Sequence, residues 1–117
     1  MNLLISNTTI ADTLVIHADG ELDVFTAPRL REAIDVGMAQ GHMQMIVDLL
    51  KVAFIDSTAL GMLVGSLRRA RAEQGDLRLV MDDPHVEKMF RITGFDTMFS
   101  IYRSVDDAVR VEPESAS

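Results

Sequence analysis

Two short apolar-rich runs with many β-branched residues open the chain. They are NLLISNTTI at residues 2–10 and TLVIHADG at residues 13–20, and only Ala11 and Asp12 separate them. Two such runs joined by a two-residue connection are typical of a β-hairpin. The pattern therefore predicts that the chain begins with two antiparallel strands.

A helical spacing of apolar residues follows the hairpin, after a turn that we predict at residues 20–23, GELD. Thr26 is a candidate N-cap for this helix, and Pro28 falls in its first turn, where proline is tolerated. Gly41 is a suitable residue to end it. The apolar positions at helical spacing are Leu30, Ala33, Ile34 and Gly37. The pattern predicts a first helix that ends before Gly41.

The longest apolar run of the chain comes next. It is MQMIVDLLKVAFI at residues 43–55, and its only charged residues are Asp48 and Lys51. A strand that is covered on both faces has such a nearly continuous run. We therefore predict that this segment lies in the middle of the sheet.

The spacing becomes helical again from Ser57 onward. A second helix is predicted to run to about Gln74 and to stop at Gly75, a residue type that commonly ends helices. Its apolar positions repeat at i, i+3, i+4 and i+7, namely Leu60, Leu63, Val64 and Leu67.

The rest of the chain continues the alternation of strand and helix. DLRLVM at residues 76–81 is predicted to be a strand, and a third helix is expected between a cap at Asp83 and an end at Gly94. MFSIYR at residues 98–103 is predicted to be the last strand, and Ser104 is expected to cap a short final helix. The predicted order is ββαβαβαβα.

This order predicts one α/β domain with a mixed sheet, an N-terminal hairpin and right-handed crossovers through helices. A chain of 117 residues and 13.0 kDa has room for one hydrophobic core. We assign residues 1–110 to this domain and residues 111–117 to a disordered tail, because EPESAS is polar and contains proline.

Composition narrows the classes of function. The sequence has no cysteine, and its histidines are scattered at 17, 42 and 85, so neither a disulfide, a metal site nor a cofactor is predicted. A formal net charge of −7 argues against nucleic acid or an anionic membrane as a partner. The start of the chain lacks the pattern of a signal peptide, and no run is long enough to span a bilayer. We expect a cytoplasmic protein.

Three consecutive polar residues, Asp56, Ser57 and Thr58, lie where the central strand gives way to the second helix. A helix start leaves four backbone N–H groups without partners, and these side chains accept from them, so capping explains one or two of the three. Sites in sheets of this type also lie at the carboxyl ends of strands. Both interpretations, a cap only and a functional site, remain open from the pattern alone.

The surrounding residues do not fit an enzyme. A hydrolase nucleophile of this fold class needs a G-x-S-x-G elbow, whereas Ser57 lies in I-D-S-T-A. The sequence has no P-loop or G-x-G-x-x-G motif. A receiver domain needs a lysine after a late strand, and the only lysines are Lys51 and Lys88. We predict no catalytic residues.

Three stretches together resemble STAS domains, specifically the bacterial anti-sigma factor antagonists. They are GELDVFTAPRLREAI, FIDSTALGMLVGSLRRARAEQGDLRLV and ITGFDTMFSIYRSVDDAV, and the resemblance covers roughly residues 10–110. Its most specific element is D-S-[ST]-[AG]-[LIV]-G, which this chain contains as DSTALG. The G-x-L-D element lies at the expected distance upstream.

The resemblance implies a regulatory protein that switches partners. Ser57 would be the phosphoacceptor of a partner that is both an anti-sigma factor and a serine kinase, with Asp23, Asp56, Thr58 and Gly61 in the partner-binding surface. The unphosphorylated form would bind this partner and release the sigma factor. Phosphorylation would end binding, and a PP2C-type phosphatase would reverse it.

A second function remains open. The chain could be a constitutive STAS accessory subunit of a transport complex, or a nucleotide-binding regulatory module, with Ser57 serving only as cap and contact. The complete DSTALG signature favours the phosphorylation switch. Gly61 and Gly65 also allow two interpretations, because glycine on a helix permits the close approach of either a partner's backbone or a neighbouring helix.

Overall fold

The computed structural model describes residues 2–110. Five strands and four helices follow the order ββαβαβαβα, as predicted. The strands are β1 (Leu3–Ile10), β2 (Thr13–Leu22), β3 (Gln44–Ile55), β4 (Asp76–Val80) and β5 (Ile101–Tyr102). The helices are α1 (Ala27–Ala39), α2 (Ser57–Ala72), α3 (Pro84–Thr93) and α4 (Val105–Arg110), with a short 3₁₀ turn at Phe95–Thr97. The predicted tail, residues 111–117, lies outside the described residues.

All five strands belong to one sheet in the order β1-β2-β3-β4-β5. β1 is antiparallel to β2, and every other pair of neighbours is parallel. The hairpin turn consists of Ala11 and Asp12, with φ of 49° and 68°. Positive φ at both positions matches the twist of the strands in a two-residue hairpin. The predicted mixed sheet and its N-terminal hairpin are confirmed.

The sheet separates two apolar layers of unequal size. The larger layer packs α1, α2 and α3 on one face through side chains such as Leu30, Leu63 and Phe90. The smaller layer holds α4 on the other face, where Ala108 is buried in one cluster with Ile46. Because β3 contributes residues to both layers, its run of apolar residues is nearly continuous, and its predicted central position is confirmed.

The prediction of a turn at residues 20–23 is wrong. β2 continues to Leu22, which is fully buried, and the sheet register shifts between Gly20 and Glu21. Gly20 has φ of +136°, and a Cβ on it would lie 2.1 Å from the carbonyl oxygen of Asn2. Gly20 therefore marks a bulge and a close approach of two backbones within a strand, which a sequence pattern does not distinguish from a turn.

The last strand is shorter than predicted. Only Ile101 and Tyr102 pair with β4, and the residues before them follow a 3₁₀ turn. Phe99 is buried against the ring of Phe90, with ring centroids 5.9 Å apart and an angle of 81° between the planes. The apolar character of this segment therefore reflects packing on α3 as well as strand formation.

The predicted helix boundaries are close to the observed ones. The Asp83 carboxylate accepts hydrogen bonds from the N–H groups of His85 and Val86 and caps α3, which ends at Gly94 with φ of +77°. The Ser104 hydroxyl accepts from the N–H of Asp107 at the start of α4. α2 ends at Ala72, two residues before the predicted end. Among residues 2–110, no helix has the length and apolar character needed to cross a membrane.

Candidate functional site

Two aspartates follow the carboxyl ends of neighbouring parallel strands. Asp23 comes directly after β2 and Asp56 directly after β3, and the last residues of these strands are paired in the sheet. The N–H of Asp56 donates to the carbonyl oxygen of Leu22 over 3.0 Å. The sheet therefore brings the two acidic positions, which lie 33 residues apart in the sequence, to one edge of the molecule.

The Asp56 carboxylate joins two elements. Its Oδ1 accepts from the N–H of Ala59 over 2.9 Å and caps α2, and its Oδ2 accepts from the N–H of Val24 over 3.0 Å. Its backbone is extended, with φ of −102° and ψ of 175°, as at many N-caps. The capping interpretation is therefore correct for Asp56, and this residue also anchors the loop between β2 and α1.

Ser57 and Thr58 are the first two residues of α2, and both are exposed. Within residues 2–110 their hydroxyls make no hydrogen bond, and the side chain that caps α2 is that of Asp56. Of the three consecutive polar residues, Asp56 thus has a structural role, whereas the hydroxyls of Ser57 and Thr58 are exposed to solvent. An enzyme could reach either hydroxyl without unfolding the helix.

Asp23 organises the turn before α1. Its Oδ1 accepts from the N–H groups of Phe25 and Thr26, each over 2.9 Å. Thr26 does not cap α1 as predicted, because its hydroxyl donates to the carbonyl oxygen of Glu21 over 2.7 Å and accepts from the N–H of Asp23. The donors from Thr26 and then Phe25 hold the pKa of the Asp23 carboxyl below its ordinary value near 3.8.

This lowered pKa predicts a dependence of stability on pH. The folded chain keeps Asp23 ionised at a lower pH than the unfolded chain does, so its contribution is complete above about pH 4 and is lost as the pH falls through the folded-state pKa. We expect the free energy of unfolding to fall less steeply below about pH 4 in Asp23→Asn than in the wild type. Urea unfolding at stepped acidic pH measures this, with Asp19→Asn as the matched loss of one charge. Parallel curves for all three proteins would contradict it.

Gly61 lies one turn after Ser57 on α2 and is exposed. A Cβ on Gly61 would meet no atom within 4 Å, so its interpretation as a contact with a neighbouring helix is wrong. A Cβ on Gly65 would meet only the guanidinium of Arg69, at 3.6 Å. The helix surface beside Ser57 is therefore open to the close approach of another molecule.

The sequence did not single out Val24 and Phe25. They lie in the turn between Asp23 and Thr26, and their side chains are 49% and 84% exposed. Their only signal in the sequence is that neither fits the helical spacing of apolar residues in α1. These two residues add an apolar surface to the acidic site.

The arrangement does not include a histidine beside Ser57. His17 lies within β2, where Nδ1 is 2.7 Å from Oδ2 of Asp48 and Nε2 is 3.1 Å from Oγ1 of Thr8. His42 lies just before β3, whereas Ser57 follows the other end of that strand. In the part of the chain that the structure describes, no group of three or more potential ligands could hold a metal ion.

A family model and a curated relative both match most of the chain. The family model for the STAS domain matches residues 5–108. An anti-sigma-B factor antagonist of Listeria monocytogenes is 33% identical over 90 residues, which cover 77% of this chain and 79% of that protein.

Solved structures show the same fold. An anti-sigma factor antagonist from Mycobacterium paratuberculosis matches with a TM-score of 0.85 and 26% identity, covering 92% of each chain. The anti-sigma factor antagonist SpoIIAA in its unphosphorylated form matches with a TM-score of 0.77 and 25% identity, covering 91% of this chain and 93% of that one. The family model covers most of the chain, and the order and pairing of the strands agree with these folds, so this protein belongs to the STAS domain family.

Proposed function

We propose that the chain is an anti-sigma factor antagonist controlled by phosphorylation of Ser57. Its unphosphorylated form binds an anti-sigma factor with serine kinase activity, and the sigma factor is released. Phosphorylated at Ser57, the chain lets this partner go until a PP2C-type phosphatase removes the phosphate. The description of the Listeria relative as an anti-sigma-B factor antagonist supports the class of partner.

One observation carries the proposal. The Ser57 hydroxyl is exposed at the first residue of α2 and makes no hydrogen bond within the described chain. The N-cap is Asp56, one residue earlier, and its hydrogen bonds from the N–H groups of Ala59 and Val24 do not involve the Ser57 hydroxyl. Ser57 is therefore a side chain whose chemistry can change while the helix start is preserved.

The electrostatics of the site explain how the switch would act. A phosphoryl group adds a charge of about −1.5 to −2. The amino terminus of α2 favours this charge, whereas the neighbouring carboxylate of Asp56 opposes it. These local effects partly cancel, so the fold is retained. The surface changes much more, because a partner fitted to a neutral hydroxyl would have to desolvate a dianion.

The partner's surface must complement two carboxylates. Asp23 and Asp56 both lie at this edge, and each is fixed by hydrogen bonds from backbone N–H groups. A partner with arginine or lysine side chains opposite them would be attracted to the unphosphorylated site. Exposed Thr58 and open Gly61 lie on the same end of α2 and complete the proposed partner-binding surface.

Phosphorylation by a kinase-type anti-sigma factor tests the proposal. We expect incubation with the cognate kinase and ATP to add one phosphoryl group at Ser57, located by mass spectrometry of the digested protein. Ser57→Ala should abolish the modification, and Ser6→Ala, which removes an exposed hydroxyl from β1, should leave it in place. Phosphate on Thr58 alone, or on neither residue with every anti-sigma kinase of the host, would overturn the switch and favour a constitutive STAS subunit.

A further inference from the structure

An exposed aromatic side chain lies beside the proposed phosphorylation site. Phe25 is 84% exposed and its neighbour Val24 is 49% exposed, although both are apolar. Single exposed apolar residues are common on protein surfaces, but a phenylalanine this exposed forgoes most of the free energy of burial. The position of Phe25 next to the acidic pair makes it a candidate contact for the partner.

The loop that carries Phe25 is held in place by hydrogen bonds at each residue. The N–H of Val24 donates to Asp56, and the N–H of Phe25 donates to Asp23. The N–H of Ala27 donates to the carbonyl oxygen of Asp23 over 2.8 Å and closes the turn. The backbone is thus ordered before any partner binds, so docking loses little conformational entropy in this loop.

We infer that Phe25, supported by Val24, is the apolar anchor by which this chain docks to its anti-sigma factor. The complementary surface on that factor is an apolar pocket bordered by arginine or lysine side chains. The inference rests on the proposed function and names the chemistry of its partner surface.

Charge complementarity identifies the kind of pocket. The carboxylates of Asp23 and Asp56 flank the loop, so a purely apolar partner surface would bury two negative charges without cationic partners, at a high cost. Cationic groups at the rim of the pocket remove that cost and steer association with a chain of net charge −7. Aromatic residues that enter such pockets commonly carry a large share of the binding energy.

The anchor and the switch share one carboxylate. Asp56 holds the loop of Phe25 through Oδ2 and caps the helix that begins at Ser57 through Oδ1. A partner that takes up Phe25 therefore covers the neighbourhood of Ser57 as well. A phosphoryl group on Ser57 would lie within this covered surface and would have to lose its hydration for the partner to stay bound. This cost explains how one modification could release the whole partner.

Substitution of Phe25 tests the inference against a matched control. Ile92 is 66% exposed and lies near the end of α3. Arg71, in the last turn of α2, donates to the carbonyl oxygen of Met98, which follows α3. The end of α3 therefore lies near the end of α2, away from the helix start at Ser57. Phe25→Ala and Ile92→Ala remove similar exposed apolar groups at opposite ends of the molecule.

We expect Phe25→Ala to weaken binding of the anti-sigma factor at least tenfold, measured by calorimetry with the factor that phosphorylates the wild type. Phe25→Leu should recover most of the affinity, and Ile92→Ala should bind as the wild type does. All variants should keep the wild-type melting temperature. In phosphorylation assays Phe25→Ala should raise KM for the chain and leave kcat within about twofold, because an anchor away from the reacting hydroxyl contributes equally to binding in the ground state and in the transition state.

The outcomes separate the two levels of the proposal. A wild-type chain that binds no kinase-type anti-sigma factor overturns the proposed function, and the anchor with it. Normal binding by the wild type and by Phe25→Ala overturns the anchor alone. A dimer of this chain that sedimentation detects in the wild type and not in Phe25→Ala would assign Phe25 to self-association, which also overturns it.

Discussion

Ser57→Asp is expected to weaken binding of the anti-sigma factor by about 100-fold, equivalent to about 2.7 kcal/mol. The new carboxylate would lie directly beside Asp56, whose own carboxylate is fixed by two backbone N–H groups and cannot turn away. Like charges brought together in a desolvated interface cost several kcal/mol. Ser57→Ala adds no charge, so it should bind within a few fold of the wild type and escape control by the kinase.

Calorimetric titration of both variants at two salt concentrations measures this effect. Ser6→Asp provides the matched control, because it adds the same group at an exposed position of β1. A loss that is as large for Ser6→Asp would indicate a general effect of net charge. Equal affinity of Ser57→Asp and Ser57→Ala would count against any role of charge at Ser57.

Gly20→Ala is expected to reduce the free energy of unfolding by about 3 kcal/mol, of which left-handed backbone strain contributes about 1–2 and steric overlap the rest. Gly20 has φ of +136°, and the added Cβ would lie 2.1 Å from the carbonyl oxygen of Asn2 and 3.3 Å from Cα of Leu3. Both contacts are with backbone atoms, so a change of side-chain rotamer cannot relieve them.

Gly41→Ala separates the two contributions. Gly41 also has a positive φ, +93°, but a Cβ on it would meet no atom within 4 Å. Gly41→Ala should therefore reduce the free energy of unfolding only by the conformational contribution, about 1 kcal/mol. Urea unfolding of both variants under the same conditions measures the difference. Losses of the same size at both glycines would show that the approach of Asn2 to Gly20 contributes nothing.

The sequence predicted those parts of the fold that depend on neighbouring residues. The two-residue hairpin, the buried run of β3 and the cap of α3 at Asp83 each involve residues close together in the chain. The cap of α2 is also local, since Asp56 and its partner Ala59 are three residues apart, but the sequence left open which of the three polar residues forms it. Periodicity and capping preferences describe such local interactions directly.

The errors arose where a contact other than the predicted one decides the role of a residue. Gly20 indicated a turn, but its role depends on Asn2, which directly precedes the neighbouring strand β1. Thr26 indicated a cap, but its hydroxyl bonds to the carbonyl oxygen of Glu21. When a residue type fits two local roles, contacts that a short sequence pattern does not contain decide which role it takes.

The candidate site shows the same division. The adjacency of Asp56 and Ser57 at a strand end was visible in the sequence, whereas the approach of the loop after β2 rests on a bond between residues 32 positions apart. Only the family resemblance pointed to Asp23 as part of the site. The exposure of Phe25 follows from the way Asp23 folds the turn, so it could be found only in three dimensions.

Under the proposed switch, the separate roles of Asp56 as cap and Ser57 as phosphoacceptor have a consequence for the cell. Because the neighbouring carboxylate secures the helix start, the modified and unmodified proteins should have nearly the same resistance to unfolding and to proteolysis. The total amount of the protein would then stay constant while its signalling state changes. Output would follow the ratio of kinase to phosphatase activity, and a cell could reset it without making new protein.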